Sequence, residues 1–249
     1  MEAEILAQLN GINQEFYQNF ADSFSLTRAR IQPGVRQILQ KLPAEGDVLD
    51  IGCGNGNLAV AWSQEGFSGS FTGVDFSPGL IADARKNASP QKAEQKIGFH
   101  LADLGHDGWI SVLPDQTWKT IFCFAVLHHI PAGSRRRRLC QQIRSLLLPK
   151  TSLWLSVWQP LNSIRLKNRI VGWEVVGLHP AQVEDGDVLM DWRAHQHADE
   201  NPAYRFVHIF SEKELSSLAK SAGFQVKNSF YSDGKEGNLA LYQHWAGDF

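Results

Sequence analysis

The amino-acid sequence predicts an α/β domain with a mostly parallel β-sheet, and two features of the chain indicate this class. Between residues 48 and 157, short apolar runs alternate with stretches of helical periodicity, which is the pattern of β-α-β units. After residue 211, one helix precedes two strands and a glycine-containing turn, as expected for a hairpin at the edge of a parallel sheet. The length of 249 residues fits a single domain over residues 1–249.

Five strands and three helices are predicted in the alternating region. The first strand enters a glycine loop, Gly52-Cys53-Gly54-Asn55-Gly56, and a helix begins near Leu58. Ser77 and Pro78 provide the N-cap and the first-turn proline of a second helix, and a third helix covers 134–148. The five strands cover residues 48–51, 71–75, 97–102, 120–124 and 153–157.

The remaining segments are assigned from weaker patterns. Ser211 and Glu214 have the spacing of a capping box and open a helix that ends before Gly223, and the hairpin strands cover 225–231 and 239–244. Residues 5–24 have a helical pattern rich in aromatic residues, so we expect residues 1–30 to form a helical cover. Residues 159–204 have no clear period, and we interpret them as an insertion on the substrate side.

The composition excludes several classes of protein. Hydrophobic residues make up 43% of the chain and charged residues 20%, which is ordinary for a globular protein and not for a disordered or fibrous one. No apolar run reaches the length of a membrane span, and the N-terminus lacks the pattern of a signal peptide, so we expect no membrane partner. Three widely spaced cysteines predict a reduced, cytoplasmic protein.

The net charge of −2 conceals an uneven distribution of charge. Residues 116–173 contain ten basic residues and no acidic one, whereas the rest of the chain has 14 basic against 26 acidic residues. Such a block indicates an anionic partner, with a solvated helix face as the ordinary alternative. Four consecutive cations, Arg135 to Arg138, stand at the start of a helix, where they oppose the helix dipole, and this favours contact with phosphate.

The glycine loop permits close approach of a ligand to backbone N–H groups, and two classes of nucleotide ligand use such loops. The dinucleotide pattern GxGxxG fits poorly, because its third glycine comes one residue early, at Gly56. The form DxGxGxG from Asp50 instead resembles motif I of the class I S-adenosylmethionine-dependent methyltransferases. This resemblance implies a Rossmann-like sheet of seven strands in the order 3-2-1-4-5-7-6, strand 7 antiparallel, with helices on both faces.

The resemblance also implies which residues bind S-adenosylmethionine as cofactor. Asp75 closes the second strand, where the family binds the ribose hydroxyls, and Asp103 closes the third, where the family contacts the adenine. The stretch after the fourth strand, Phe124 to Ile130, resembles the family's lining of the methionine end. The implied cofactor-binding residues are Asp50, Gly52, Cys53, Gly54, Gly56, Asp75, Phe76, Ser77, Asp103, Leu104, Ala125 and His128.

Segments outside this core resemble a narrower family, the tRNA wobble-uridine methyltransferases that esterify 5-carboxymethyluridine. They are FSLTR (24–28), VW (157–158), GDVLMDW (186–192) and YRFVHIF (204–210). The resemblance implies tRNA as a partner, with no role for DNA, and it raises the question of a small activator subunit, which the sequence does not answer. Lys150 stands where that family has a glycine, and Met190-Asp191 replaces Val-Pro.

Esterification of a carboxylate requires positioning more than a strong base, because a carboxylate with a pKa near 4 is already ionised at neutral pH. Arg28, Arg205 and His208 are the candidates to hold this anion, and Trp158 and Trp192 are candidate walls that stack a base. For Trp158 the alternative is core packing, and for His208 it is a core histidine.

Two further functions stay open on the sequence alone. One is a methyltransferase of small acids or other metabolites, and the other is a silent cofactor-binding regulator, against which the intact acidic and glycine motifs argue. His195 and His197 have a spacing that metal sites rarely use, and we therefore expect no metal site.

Overall fold

The computed structural model describes residues 1–19, 30–89, 93–192 and 203–247. Seven strands form one sheet in the order β3-β2-β1-β4-β5-β10-β9. These strands are β1 (Val48–Ile51), β2 (Gly69–Asp75), β3 (Gln95–Leu101), β4 (Thr120–Phe124), β5 (Ser152–Trp158), β9 (Phe224–Ser232) and β10 (Ala240–Gly247).

Strand direction agrees with the sequence prediction. Strands β1 to β5 pair in parallel, and β10 runs antiparallel between β5 and β9. The predicted order 3-2-1-4-5-7-6 with an antiparallel strand 7 is therefore confirmed, since β9 and β10 are the sixth and seventh strands of this sheet. Each predicted strand boundary lies within three residues of the observed one.

Helices cover both faces of the sheet, and alternate residues of each strand separate two cores. Leu49, Ile121 and Leu153 belong to one core, whereas Val48, Phe122 and Trp154 belong to the other. The first core packs against α5 (Gly133–Ser145) and α7 (Glu212–Ser221). The second packs against α2 (Pro33–Leu39), α3 (Asn57–Gln64) and α4 (Pro78–Asn87).

A second sheet of three antiparallel strands corrects the description of residues 159–204 as a segment without a clear period. Its order is β6-β7-β8, with β6 (Ile170–Val171), β7 (Asp187–Trp192) and β8 (Ala203–His208). The pattern is hard to detect because β6 has two residues and because polar side chains are buried in β7 and β8. The boundary at 204 falls inside β8, and the short helix α6 (Ile164–Lys167) precedes this sheet.

The N-terminal helix α1 (Ala3–Asn19) packs on the second sheet, where Ile5 and Leu9 contact the core formed with Leu189 and Phe206. Asn13 fixes this packing through two strand groups: its Nδ2 donates to the Phe206 carbonyl (3.3 Å) and its Oδ1 accepts from the Phe206 N–H (2.9 Å). Within the described residues, no helix is long and apolar enough to cross a membrane.

Candidate functional site

A cavity of about 910 Å³ lies at the carboxyl ends of the parallel strands, where open α/β sheets bind ligands. Ten of the twelve residues assigned to cofactor binding line it. They are Asp50, Gly52, Cys53, Gly54, Asp75, Phe76, Asp103, Leu104, Ala125 and His128. The two exceptions, Gly56 and Ser77, do not line the cavity, and each contacts a neighbouring part of the fold instead.

The glycine loop owes its shape to left-handed backbone conformations. Gly52, Gly54 and Gly56 have φ values of 76°, 54° and 78°, which glycine adopts without a steric penalty. A Cβ atom at Gly52 would collide with Val126, and one at Gly56 would lie 3.0 Å from Ala84. At Gly54, by contrast, a Cβ would meet nothing within 4 Å, so this residue faces open space in the cavity. Gly56 is therefore a packing residue.

Asp75 accepts hydrogen bonds from backbone N–H groups of two separate segments that border the cavity. Its Oδ2 accepts a hydrogen bond from the Gly54 N–H (3.0 Å), and its Oδ1 accepts one from the Ser77 N–H (2.9 Å). Ser77 also caps α4, because its Oγ accepts from the Leu80 N–H (3.3 Å). Ser77 thus positions Asp75, which corrects its assignment as a cofactor contact.

Two buried carboxyl groups influence each other at this edge of the sheet. Burial, and secondly the charge of Asp75, raises the pKa of Asp50 to about 8. Burial also raises the pKa of Asp75, and the N–H donors of Ser77, Gly54 and Phe76 oppose that rise. Asp50 is therefore largely protonated at neutral pH, and backbone N–H donors favour the ionised form of the neighbouring Asp75.

Asp103 lies at the rim of the cavity and is more exposed. Its Oδ1 accepts a hydrogen bond from the Gly105 N–H (2.8 Å), and its Oδ2 lies 3.5 Å from the Gln14 amide. The contact with Gln14 brings α1 over the cavity, and six residues of α1 line it: Ala3, Ala7, Asn10, Asn13, Gln14 and Tyr17.

The loop after β4 contains a strained residue and two histidines with defined proton positions. Ala125 has a φ of 58°, and its N–H donates to both the carbonyl and the hydroxyl of Ser156 (3.0 and 3.1 Å). His128 Nδ1 accepts from the Trp158 N–H (3.2 Å), so a neutral ring carries its proton on Nε2. His129 has the opposite tautomer, because its Nδ1 donates to the Phe206 carbonyl (3.1 Å) and its Nε2 accepts from the Tyr17 hydroxyl (2.9 Å).

Arg205 is enclosed by three aromatic rings at the cavity wall. Its guanidinium carbon lies 4.7 Å from the ring centroid of Phe16, 5.0 Å from that of Trp158 and 5.0 Å from that of Trp192. Arg205 is 5% exposed and lines the cavity together with the two tryptophans. The tryptophan faces expected to stack a base instead contact the guanidinium, which they hold by cation–π interactions. Sequence reasoning identified Arg205 and both tryptophans but missed Phe16.

His208 lies away from the cavity, and this corrects its assignment as a substrate contact. Its Nδ1 is 2.7 Å from Asp187 Oδ1 and its Nε2 is 2.7 Å from Glu214 Oε1, so both ring nitrogens are engaged with carboxylates. The side chain is buried, and His208 is absent from the residues that line the cavity. Glu214 bonds to His208, whereas Ser211 Oγ accepts from the Glu214 N–H (3.1 Å), so only half of the expected capping box is seen.

Glu184, Asp187 and His208 form a cluster whose ligand atoms lie within 4.8 Å of one another, close enough for a metal ion. However, the Arg136 guanidinium lies 2.8 Å from Glu184 Oε2. Partial burial acts to raise the pKa of Glu184, but the Gly133 N–H and Arg136 outweigh it and hold that pKa below its usual value. We interpret the cluster as an internal polar network in which Arg136 and the two nitrogens of His208 already contact the carboxylates.

The basic block does not form one surface, so Arg135 to Arg138 do not act together as one phosphate-binding patch. Arg136 is buried and paired with Glu184, Arg138 pairs with Asp107, and Arg144 donates to the Gly223 carbonyl (2.9 Å). Lys119 and Lys150 precede β4 and β5 and therefore lie at the opposite edge of the sheet. The members that line the cavity are Arg135, Arg165 and Arg169.

Some predicted residues fall outside the part of the chain that the structure describes. Arg28 lies in 20–29, and His195 and His197 lie in 193–202. Their assignments stay predictions.

Comparisons with known proteins agree with the fold. A family model described as a methyltransferase domain matches residues 24–228. The probable tRNA methyltransferase 9B of Homo sapiens is 26% identical over 86% of this chain and 38% of its own length. The tRNA (carboxymethyluridine(34)-5-O)-methyltransferase of Schizosaccharomyces pombe is 26% identical over 87% of this chain and 90% of its own length.

The chain spans about a third of the length of the 9B relatives that it matches. Among solved structures, a SAM-dependent methyltransferase from Methanosarcina mazei aligns with a TM-score of 0.64 at 21% identity, over 87% of this chain and 98% of that chain. This likeness concerns the fold.

Proposed function

This chain belongs to the methyltransferase domain family, and we propose that it uses S-adenosylmethionine to esterify a carboxymethyl-type uridine at the wobble position of a tRNA. Its residues fit that cofactor. Asp75 lies at the end of β2 with oxygens directed by backbone donors, and Gly54 leaves open space beside it. When bound, S-adenosylmethionine supplies an electrophilic methyl group and leaves as S-adenosylhomocysteine.

The observation that carries the proposal is the caged guanidinium of Arg205. A buried arginine on a cavity wall favours an anionic group on the acceptor, and three aromatic rings fix its position. Asp50, Asp75 and Asp103 line the cavity in or just after β1, β2 and β3, whereas Arg205 lines it from β8. The cavity thus offers carboxyl groups near the strand ends for a sulfonium cofactor and a buried cation on the second sheet for a carboxylate.

The chain's contribution to the reaction is binding and orientation. Arg205 would hold the acceptor carboxylate, one of whose oxygens would take the methyl group that the cofactor supplies, with the electron pair of the broken S–CH₃ bond remaining on sulfur. No proton changes place, so the step needs neither a general base nor a Lewis acid. The names of the relatives support RNA as the acceptor, since two of them are tRNA methyltransferases by description.

The test uses the purified full chain, cofactor labelled in its methyl group, and tRNA that carries 5-carboxymethyluridine. A methyl ester is hydrolysed by mild alkali, whereas a methyl group on nitrogen, carbon or ribose oxygen survives. We expect label in a wobble nucleoside that alkali removes as methanol. Alkali-stable label in tRNA would contradict the carboxylate acceptor.

A small carboxylic acid is the second candidate acceptor, and the cover formed by α1 over the cavity favours it. A panel of free acids with the same labelled cofactor distinguishes the two acceptors. Esterification of a free acid without transfer to tRNA would replace the RNA proposal.

A further inference from the structure

We propose that an arginine rim, defined as Arg30, Arg135 and Arg165, holds the phosphate backbone of the RNA around the mouth of the cavity. This inference rests on the proposed function and adds the residues that recognise the polymer. The three residues come from separate segments: the one before α2, the first turn of α5, and α6. All three line the cavity.

The rim arginines line the cavity without internal counter-charges, unlike several arginines of the same region. Among residues within the described ranges, none of the three rim arginines has an acidic side chain within 4.0 Å, whereas Arg136, Arg138 and Arg169 pair with Glu184, Asp107 and Asp191. Like charges gathered around one opening repel one another, and a polyanion relieves that repulsion. The rim is therefore complementary to phosphate groups.

A single carboxylate on the acceptor does not account for the three cations of the rim. Arg205 already provides a buried cation for the acceptor, enclosed by rings and 5% exposed. Arg30 and Arg165 are exposed and Arg135 is half-buried, which suits groups that remain partly in water, as phosphates of a bound polynucleotide do.

The helix α6 gives a second, independent observation. None of its four residues is buried, and Ile164 is 82% exposed directly beside Arg165. A helix that contributes nothing to a core presents an apolar and a cationic side chain to solvent beside the cavity. This pairing matches a nucleotide, which offers a base or sugar next to a phosphate.

The experiment compares two triple variants with the same change in charge. The rim variant carries Arg30→Gln, Arg135→Gln and Arg165→Gln. The control variant carries Lys119→Gln, Arg137→Gln and Lys150→Gln, which are exposed cations that do not line the cavity. Binding of tRNA is measured by fluorescence anisotropy between 50 and 200 mM salt, and thermal melting checks that both variants fold.

We expect the rim variant to bind tRNA at least about tenfold more weakly and to lower the slope of log K against log salt by about two to three, since each phosphate contact contributes about 0.7–0.9. The control should differ from the wild type by less than about threefold. A single Arg165→Lys variant, which keeps the charge, should retain most of the affinity.

Each outcome separates the rim from the proposed function. Methylation of tRNA with equal slopes for the two triple variants contradicts the rim alone. A wild type that neither binds nor methylates tRNA contradicts both. A rim-dependent slope without an alkali-labile ester supports the rim and contradicts the carboxylate acceptor.

Discussion

At the scale of single residues, Asp50 and Asp75 show how two carboxyl groups at one edge of a sheet have different surroundings. Asp75 accepts two backbone hydrogen bonds that favour its ionised form, from Gly54 and Ser77. Burial, with the Asp75 charge as the second cause, raises the pKa of Asp50 to about 8. Burial raises the pKa of both groups, and at Asp75 the backbone donors oppose that rise.

The raised pKa of Asp50 predicts a pH-dependent effect of Asp50→Asn on stability. Folded protein keeps a proton that the unfolded chain releases above an ordinary pKa of 3.8, so this residue's contribution is present below pH 3.8 and is lost as pH rises to about 8. We expect the free energy of unfolding of Asp50→Asn to exceed that of the wild type by an amount that grows between pH 4 and pH 8. Urea unfolding at pH 5, 7 and 8.5 measures it.

The control for this prediction is Asp115→Asn, a substitution at an exposed carboxylate. Its difference from the wild type should not grow with pH. A difference at Asp50 that is constant across the three pH values would contradict the prediction.

The position of Asp75 predicts a loss of cofactor affinity in Asp75→Ala. A charged hydrogen bond contributes about 1.5–3 kcal/mol, so affinity for S-adenosylmethionine should fall at least about tenfold. Asp75→Asn keeps one acceptor and should lose less. Calorimetry measures the affinities of both variants. Equal affinities for Asp75→Ala and the wild type would show that Asp75 does not bind the cofactor.

The acidic residues that line the cavity near the strand ends were predictable because they stand in or after strands that are easy to detect. Asp50, Asp75 and Asp103 each stand in or beside an apolar run, and the order of the runs brings their ends to one edge. The role of His208 was not predictable, since it depends on Asp187 on a neighbouring strand and on Glu214 on a helix. Nothing in the local sequence identifies such partners.

At the scale of elements, His208 joins the second sheet to α7, and this predicts a structural effect of His208→Ala. Removal of the imidazole leaves the buried Oδ1 of Asp187 without its hydrogen-bond partner. Breaking a buried pair in this way costs about 3–5 kcal/mol, so the melting temperature should fall. The KM for tRNA should stay within about twofold at a temperature where the variant is folded.

Glu214→Gln serves as the matched variant for the same link. The Glu214 side chain is 43% exposed and is replaced by a neutral acceptor, so the melting temperature should fall less. A large rise in KM for His208→Ala without loss of stability would instead indicate that His208 contacts the substrate.

The helix α1 is attached through Asn13, and Asn13→Ala should loosen it. The Asn13 amide donates to the His129 and Phe206 carbonyls, and its oxygen accepts from the Phe206 N–H. The substitution removes these bonds and leaves the buried Phe206 N–H without the Asn13 acceptor, at a cost of about 1–3 kcal/mol. Limited proteolysis should cut the variant faster within residues 1–19. Gln18→Ala on the exposed face of α1 is the control and should be cut at the wild-type rate.

The elements that sequence reasoning missed are those whose burial comes from tertiary contacts. The strands β7 and β8 bury Asp187, Arg205 and His208, and these charged residues interrupt the apolar alternation that identifies a strand. The parallel strands were predictable because apolar residues dominate their cores.

At the scale of the whole molecule, charge is distributed by topology rather than by position in the sequence. Residues 116–173 contain ten cations, but β4 and β5 divide them between the two edges of the sheet. Lys119 and Lys150 precede strands, while Arg135 and Arg165 follow them. Sequence reasoning treated the block as one patch because it did not place each cation relative to the strand ends.

The contact between α1 and β8 joins residues that are far apart in the chain, and it sets an order of events during synthesis. Asn13 and Phe206 are separated by 193 residues. At about 5–20 residues per second, a ribosome takes about 10–40 s to make the partner strand after the helix. Throughout that time, Ile5, Leu9 and Phe16 lack the surface that buries them in the folded protein. Although α1 is synthesised long before its partner strand, it is therefore among the last of these elements to dock, and it closes over strand ends that have already been synthesised.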